Sequence, residues 1–205
     1  MRKLVIDCAT EACSVALIED GVLVAGEYAL LGRGHAERLV PMIAALPDKG
    51  MADVIAIDVG PGSFTGIRVG LAAARALSLA WNARLQGYES LALVAAMALS
   101  ERPGSAVDVC MTGGHGEWFF QPFDSDATPL APLASLTPAQ AKSRSTALLL
   151  AGSQAAALAA DRTHAVAISL HPDARCAGLL DERAFHRDPR PSYGRAPDAR
   201  LPSAA

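Results

Sequence analysis

Asp7, Gly60, Gly62, Ser63 and Thr65 are the residues whose types and spacing best suit chemistry on a phosphate. The run Gly60-Pro61-Gly62-Ser63-Phe64-Thr65-Gly66-Ile67-Arg68-Val69-Gly70 follows a strand-like segment, Val54 to Val59, and opens a helix-like segment reaching Trp81. A glycine-rich turn at that junction can aim backbone N–H groups and a helix N-terminus at an anion. Asp7, at the end of the first strand-like run, is placed to orient a metal-bound phosphate. The spacing excludes a P-loop: five residues beyond Gly60 stands Thr65, five beyond Gly62 stands Ile67, and no lysine follows. The pattern Gly-x-Gly-x-x-x-Gly is instead a relative of the dinucleotide fingerprint, which calls for an acidic residue about 20 positions on. Gln86 stands there and Glu89 comes slightly late. A nucleotide-binding enzyme, either a phosphotransferase or a dinucleotide-dependent catalyst, is therefore the alternative reading of this turn.

Other constellations carry less. Asp7, Glu37 and Asp58 fall in the order strand, helix, strand, the order of acids in ribonuclease-H-type nucleases. Two-metal chemistry needs converging carboxylates, and no fourth acid stands at a suitable place. The five histidines, His35, His115, His164, His171 and His186, include no pair at helical spacing for a metal. Ser63 lacks the Gly-x-Ser-x-Gly context of a nucleophile elbow. Cys8, Cys13, Cys110 and Cys176 have no paired spacing, which suits reduced thiols in a cytoplasmic protein.

The elements that must position these residues are legible in outline. Lys3–Cys8 and Ser14–Glu19 read as strands. Asp20-Gly21 is a hairpin turn, and Val22–Leu30 is the return strand. A helix over Ala36–Leu46, bent at Pro41, precedes the strand Asp53–Val59. The glycine turn and long helix follow, then a strand near Leu85–Tyr88 and a helix over Leu91–Ser100. A linker at Arg102-Pro103-Gly104-Ser105 divides the chain into halves, 1–101 and 102–205. The second half opens with strands at Val107–Met111 and Glu117–Phe123 and one near Leu130. A short helix at Pro138–Lys142, a strand at Ala147–Ala151 and a helix at Gln154–Ala160 follow. This order hints at structural duplication, and Asp181–Pro202 reads as a surface tail. With 205 residues, 51% hydrophobic and 19% charged, the chain can bury a sizeable core, and no run of about 20 apolar residues suggests a membrane span. A formal charge of −3 makes a poor tRNA binder on its own, because phosphate contacts need clustered Lys and Arg.

The helix after the turn carries small residues every fourth position, Gly66, Gly70, Ala74 and Ser78, a stripe that lets another backbone approach closely. Ile67, Leu71, Ala72, Leu77, Leu79 and Trp81 spread apolar surface round the rest, so the helix is expected to bury one face inside the chain and one against a partner. Leu39, Met42, Ile43 and Leu46 add an apolar stripe on the preceding helix, and Arg68 and Arg75 are placed to rim the contact.

The segments Met1-Arg2-Lys3-Leu4-Val5-Ile6-Asp7, Glu11-Ala12-Cys13-Ser14-Val15-Ala16-Leu17 and Gly60 to Gly70 closely resemble the TsaB (YeaZ) family. His35 to Ile43, Gly116-Glu117-Trp118-Phe119 and Tyr193-Gly194-Arg195 extend the likeness, which is strong to about residue 98. The resemblance implies an α/β fold of two ribonuclease-H-like halves, of the actin-like ATPase superfamily. It implies a cytoplasmic, non-catalytic dimerisation subunit of the bacterial machinery that places threonylcarbamoyl on the adenosine next to the tRNA anticodon. Its two helices would form half of a four-helix bundle, completed by a TsaD-type catalytic subunit or, alone, by a second copy. A TsaE-type ATPase is a further implied partner, and tRNA is reached only through the complex. No cofactor is required, ATP or ADP at the complex interface being the one nucleotide the likeness leaves room for. The chain lacks the His-x-x-x-His metal pair of TsaD and departs from the family at Thr112-Gly113-Gly114-His115.

Overall fold

A computed structural model describes residues 1–194. The first half runs β1 (Arg2–Asp7), β2 (Ala12–Glu19), β3 (Val22–Leu30), α1 (His35–Ala45), β4 (Val54–Asp58), α2 (Phe64–Trp81), β5 (Arg84–Tyr88) and α3 (Ser90–Glu101). The second runs β6 (Val107–Thr112), β7 (Trp118–Phe123), β8 (Ala134–Leu136), α4 (Pro138–Arg144), β9 (Leu149–Ala151), α5 (Ala155–Ala159) and β10 (Val166–Ile168). A last strand, β11 (His186–Arg187), returns to the first sheet.

The wiring of the two sheets is the same. In the first, β1 pairs antiparallel with β2 and β2 with β3, while β4 lies parallel to β1 and β5 to β4. In the second, β6 pairs antiparallel with β7 and β7 with β8, while β9 lies parallel to β6 and β10 to β9. Strand order 3-2-1-4-5 thus occurs twice, the ribonuclease-H-like unit duplicated as in actin-like ATPases.

Alternation along β1, β2 and β4 gives the first sheet two apolar faces. Leu4, Ile6, Val15, Leu17, Ile55 and Ile57 meet α1 and α2 on one side. Val5, Ala16, Ile18 and Ala56 meet Leu93 of α3 and the 3-10 segment Ala174–Leu179 on the other. α3 also sends Leu91, Val94, Ala95 and Ala98 into the core beneath the second sheet. Within the chain, the helix buried on both sides is α3, apolar all round as such a position demands.

Three expectations need correction. The strand expected near Leu130 is reduced to a single bridge of Pro129 with Phe123, the Leu130 N–H donating to the Pro122 carbonyl, and the ladder forms at Ala134–Leu136, past Pro129 and Pro132, which cannot donate to it. A strand at Val166–Ile168 completes the second sheet and was not read from the sequence. The supposed surface tail is a strap. β11 pairs with β5, the Ser192 N–H donates to the Val59 carbonyl at 2.8 Å, and Arg75 Nη2 donates to the Pro189 carbonyl at 3.2 Å. Arg195 and the rest of that tail lie outside the described residues.

Candidate partner-binding face and the glycine turn behind it

α2 starts where Ser63 Oγ accepts the Gly66 N–H at 3.3 Å and stops at Asn82, which adopts the left-handed conformation of a helix end. Within it Gly66, Ile67, Gly70, Leu71 and Ala74 are buried, and Leu77 and Ser78 are half-buried. A Cβ on Gly66 would collide with the Cys8 carbonyl. One on Gly70 would stand 2.7 Å from Cys8 Sγ and 2.8 Å from Ile57 Cδ1. The small-residue stripe therefore seats α2 on its own sheet. On α1, Leu39, Met42 and Ile43 are buried in the same core, as is Leu46 just past its end. The stripes expected to meet a partner through Leu39, Met42, Ile43, Leu46, Gly66, Gly70, Leu71 and Ala74 point inward, because the approach that glycine permits is to β1 and β4.

The outward sides of both helices carry small apolar residues among charged ones. α1 exposes Ala36, Val40 and Ala44 beside Glu37 and Arg38, and α2 exposes Ala72, Ala76, Leu79 and Ala80 beside Arg75. Val40 is 60% and Leu79 87% accessible. The two helices lie against one another on the sheet. At the head of α2, Phe64 and Arg68 continue the same outward stripe as Ala72 and Ala76, at four-residue spacing.

The glycine turn is filled by the chain itself. The Gly60 N–H donates to Asp58 Oδ1 at 2.8 Å and the Ser63 N–H to the Ala9 carbonyl at 2.6 Å. A Cβ on Gly62 would collide with that Ala9 carbonyl, and one on Gly60, at φ 105°, with the carbonyl of Ser192 in the strap. Of the candidate phosphate ligands, Gly60 and Gly62 are thus occupied by packing, while Ser63 caps α2. Thr65 stands exposed on the first turn of α2. Asp7 is fully buried, so it presents no carboxylate to an open cleft.

Asp7 faces instead a polar cluster walled by apolar side chains. Tyr88 Oη donates to Asp7 Oδ2 at 2.9 Å, and Ser90 Oγ donates to Asp58 at 2.6 Å. Burial first, and then the facing Asp58, holds the Asp7 carboxyl well above the usual carboxylate range. Burial pushes Asp58 up to about 6, against hydrogen bonds from Ser90, the Gly60 N–H and Asp7 that favour its charged form. Asp7 therefore keeps its proton and donates it to Asp58. The sequence singles out both aspartates but not the bonding of Asp7 to Tyr88 and of Asp58 to Ser90, which lie 81 and 32 positions away.

Both carboxyls hold protons in the fold that the unfolded chain releases, so their stabilisation is full below the ordinary carboxylate pKa. It is lost as pH rises through about 6 for Asp58 and beyond for Asp7. Asp7→Asn keeps an acceptor for Tyr88 and a donor for Asp58 without a proton to lose. It is expected to raise the unfolding free energy at pH 8 and to flatten the decline in stability above pH ~5. Urea melts across that range check it, and an unchanged pH slope would contradict the shared proton.

Among the described residues, no three His, Cys, Asp or Glu side chains converge as metal ligands. No described helix is long and apolar enough to cross a membrane.

Residues 29–168 match the family model described as TsaD, tRNA N6-adenosine threonylcarbamoyltransferase. Over 131 residues the chain is 34% identical to the tRNA threonylcarbamoyladenosine biosynthesis protein TsaB of Escherichia coli (strain K12), covering 62% of this chain and 56% of that one. Over 101 residues it is 30% identical to the TsaB of Bacillus subtilis (strain 168), covering 47% and 44%. These matches span about half the length of the curated relatives. Among solved structures, YeaZ from Pseudomonas aeruginosa superposes with a TM-score of 0.79 at 26% identity, covering 94% of this chain and 99% of that one.

Proposed function

The chain belongs to the TsaB (YeaZ) family within the TsaD-type threonylcarbamoyltransferases, and on that premise we propose that it is the non-catalytic subunit that binds and positions a TsaD-type enzyme. The reaction served is threonylcarbamoyl transfer to the adenosine adjacent to the tRNA anticodon. The observation that carries this reading is the outward face of α1 and α2, where Val40, Ala44, Ala72, Ala76 and Leu79 stand in solvent although the inner faces are fully packed. Two helices already fixed on a sheet offer half of a bundle at little ordering cost, and short side chains let a facing pair approach closely. The partner's own helix pair is the occupant, with a second copy of this chain competing for the same face when the enzyme is absent.

The chemistry available in this chain agrees with a binding role. In the glycine turn the Gly60 N–H bonds to Asp58 and the Ser63 N–H to Ala9, and the buried Asp7 and Asp58 bond to Tyr88 and Ser90. ATP or ADP, where it acts, belongs to the assembled complex and to a TsaE-type ATPase, and tRNA reaches this subunit only through its partner.

A transfer assay with tRNA, threonylcarbamoyl-adenylate and the TsaD-type subunit from the same organism tests the proposal. Turnover should be negligible with either protein alone and appear on mixing. Transfer by the TsaD-type subunit alone at the rate of the mixture would overturn it.

A further inference from the structure

Arg68 is held in a way that its place in the fold does not require. Its guanidinium carbon lies 3.6 Å from the centroid of the Phe64 ring, and its Nε–H donates to Tyr193 Oη at 3.0 Å. The Phe64 and Tyr193 rings are themselves 5.0 Å apart. Phe64 is 54% exposed, and Arg68 is exposed on the same stripe as Ala72 and Ala76. Some arginines bond to carboxylates of their own chain, as Arg38 does to Glu27 and Arg175 to Asp173. Arg68, like Arg75 and Arg84, has no such partner among the described residues, but it alone of these is stacked between two aromatic rings. Stacking on one ring and bonding to another fixes the guanidinium plane, and its two terminal nitrogens have no hydrogen-bond partner among the described residues. A planar fork already immobilised is suited to bidentate contact with a carboxylate, since the side-chain entropy is lost before binding.

We propose that Arg68, held by Phe64 and Tyr193, is the anion anchor of the partner-binding face, taking a carboxylate side chain of the TsaD-type subunit. The inference rests on the partner-binding reading above and deepens it. It also makes the C-terminal strap part of the interface, because that strap, tied down by the bonds of Arg75 to Pro189 and Ser192 to Val59, carries Tyr193 to α2. The Arg68 contact is continuous with the apolar face, at the N-terminal end of the same helix. Charged anchors beside a small apolar core are the arrangement in which arginine carries much of an interface's energy.

Titration calorimetry of the TsaD-type subunit into wild type, Arg68→Ala, Arg68→Lys and Tyr193→Phe, with no nucleotide or tRNA present, tests it. Arg68→Ala should weaken binding about tenfold or more. Arg68→Lys should recover only part of that loss, because an ammonium lacks the fork. Tyr193→Phe, which keeps the ring and removes only the hydroxyl, should weaken it about threefold. Rising salt should weaken wild type more than Arg68→Ala. All variants should melt as wild type does. Equal affinities and equal salt slopes would overturn the anchor while leaving the platform intact, and so would a loss seen only when nucleotide or tRNA is added. A wild type that does not bind would overturn both.

Discussion

Gly66→Ala is expected to lower the unfolding free energy by about 3 kcal/mol or more, a large effect for one methyl group. Helix propensity predicts the opposite sign, since alanine in place of glycine inside a helix gains about 1 kcal/mol. Packing decides the matter here. The new Cβ would collide with the Cys8 carbonyl, a backbone atom in the segment whose next carbonyl, of Ala9, accepts the Ser63 N–H. To relieve the collision either α2 must lift from the sheet or the end of β1 must move. Gly70→Ala should cost less, because its Cβ meets the ends of Cys8 and Ile57, which can turn aside. Urea melts of the two variants check both the sign and the ranking. A stabilised Gly66→Ala would mean that α2 does not sit where this packing puts it.

The same residue shows what the sequence could and could not convey. Small residues at 66, 70 and 74 announced a close approach, and the approach exists, but nothing local says which neighbour it serves. The answer depends on Cys8 and Ile57, brought under α2 by the parallel pairing of β1 with β4. The first-half elements were legible because their periodicity and turn residues agree: Asp20-Gly21 closes a hairpin, and α2 lies between a serine cap and a left-handed Asn82. The strap was not legible. Its residues are rich in proline and arginine and lack apolar periodicity, and its order comes from partners more than 100 positions away, Arg75 and Arg68. The buried pair was half legible: Asp58 stood out in a strand that is otherwise apolar, whereas Tyr88 and Ser90 looked like ordinary residues of β5 and α3.

Ala76→Arg should weaken association with the TsaD-type subunit by about a hundredfold, roughly 3 kcal/mol. Ala76 is exposed in the free chain, so the variant should fold with a stability within about 0.5 kcal/mol of wild type. In the complex its side chain would stand between helices whose spacing is set by alanine, and its charge would be stripped of water without a designed partner. Loss of binding with unchanged folding separates this outward face from the inward stripe of Gly66 and Gly70, where substitution should damage the monomer first.

Light scattering on the mixture of wild-type chain and TsaD-type subunit, with Ala76→Arg run beside it, tests the central claim most directly. The account predicts a stable species at the summed mass of the two proteins for wild type, and separate species for the variant. Two separate species with wild type, or an unaltered complex with Ala76→Arg, would contradict the assignment of the outward face of α1 and α2 as the surface that holds the enzyme.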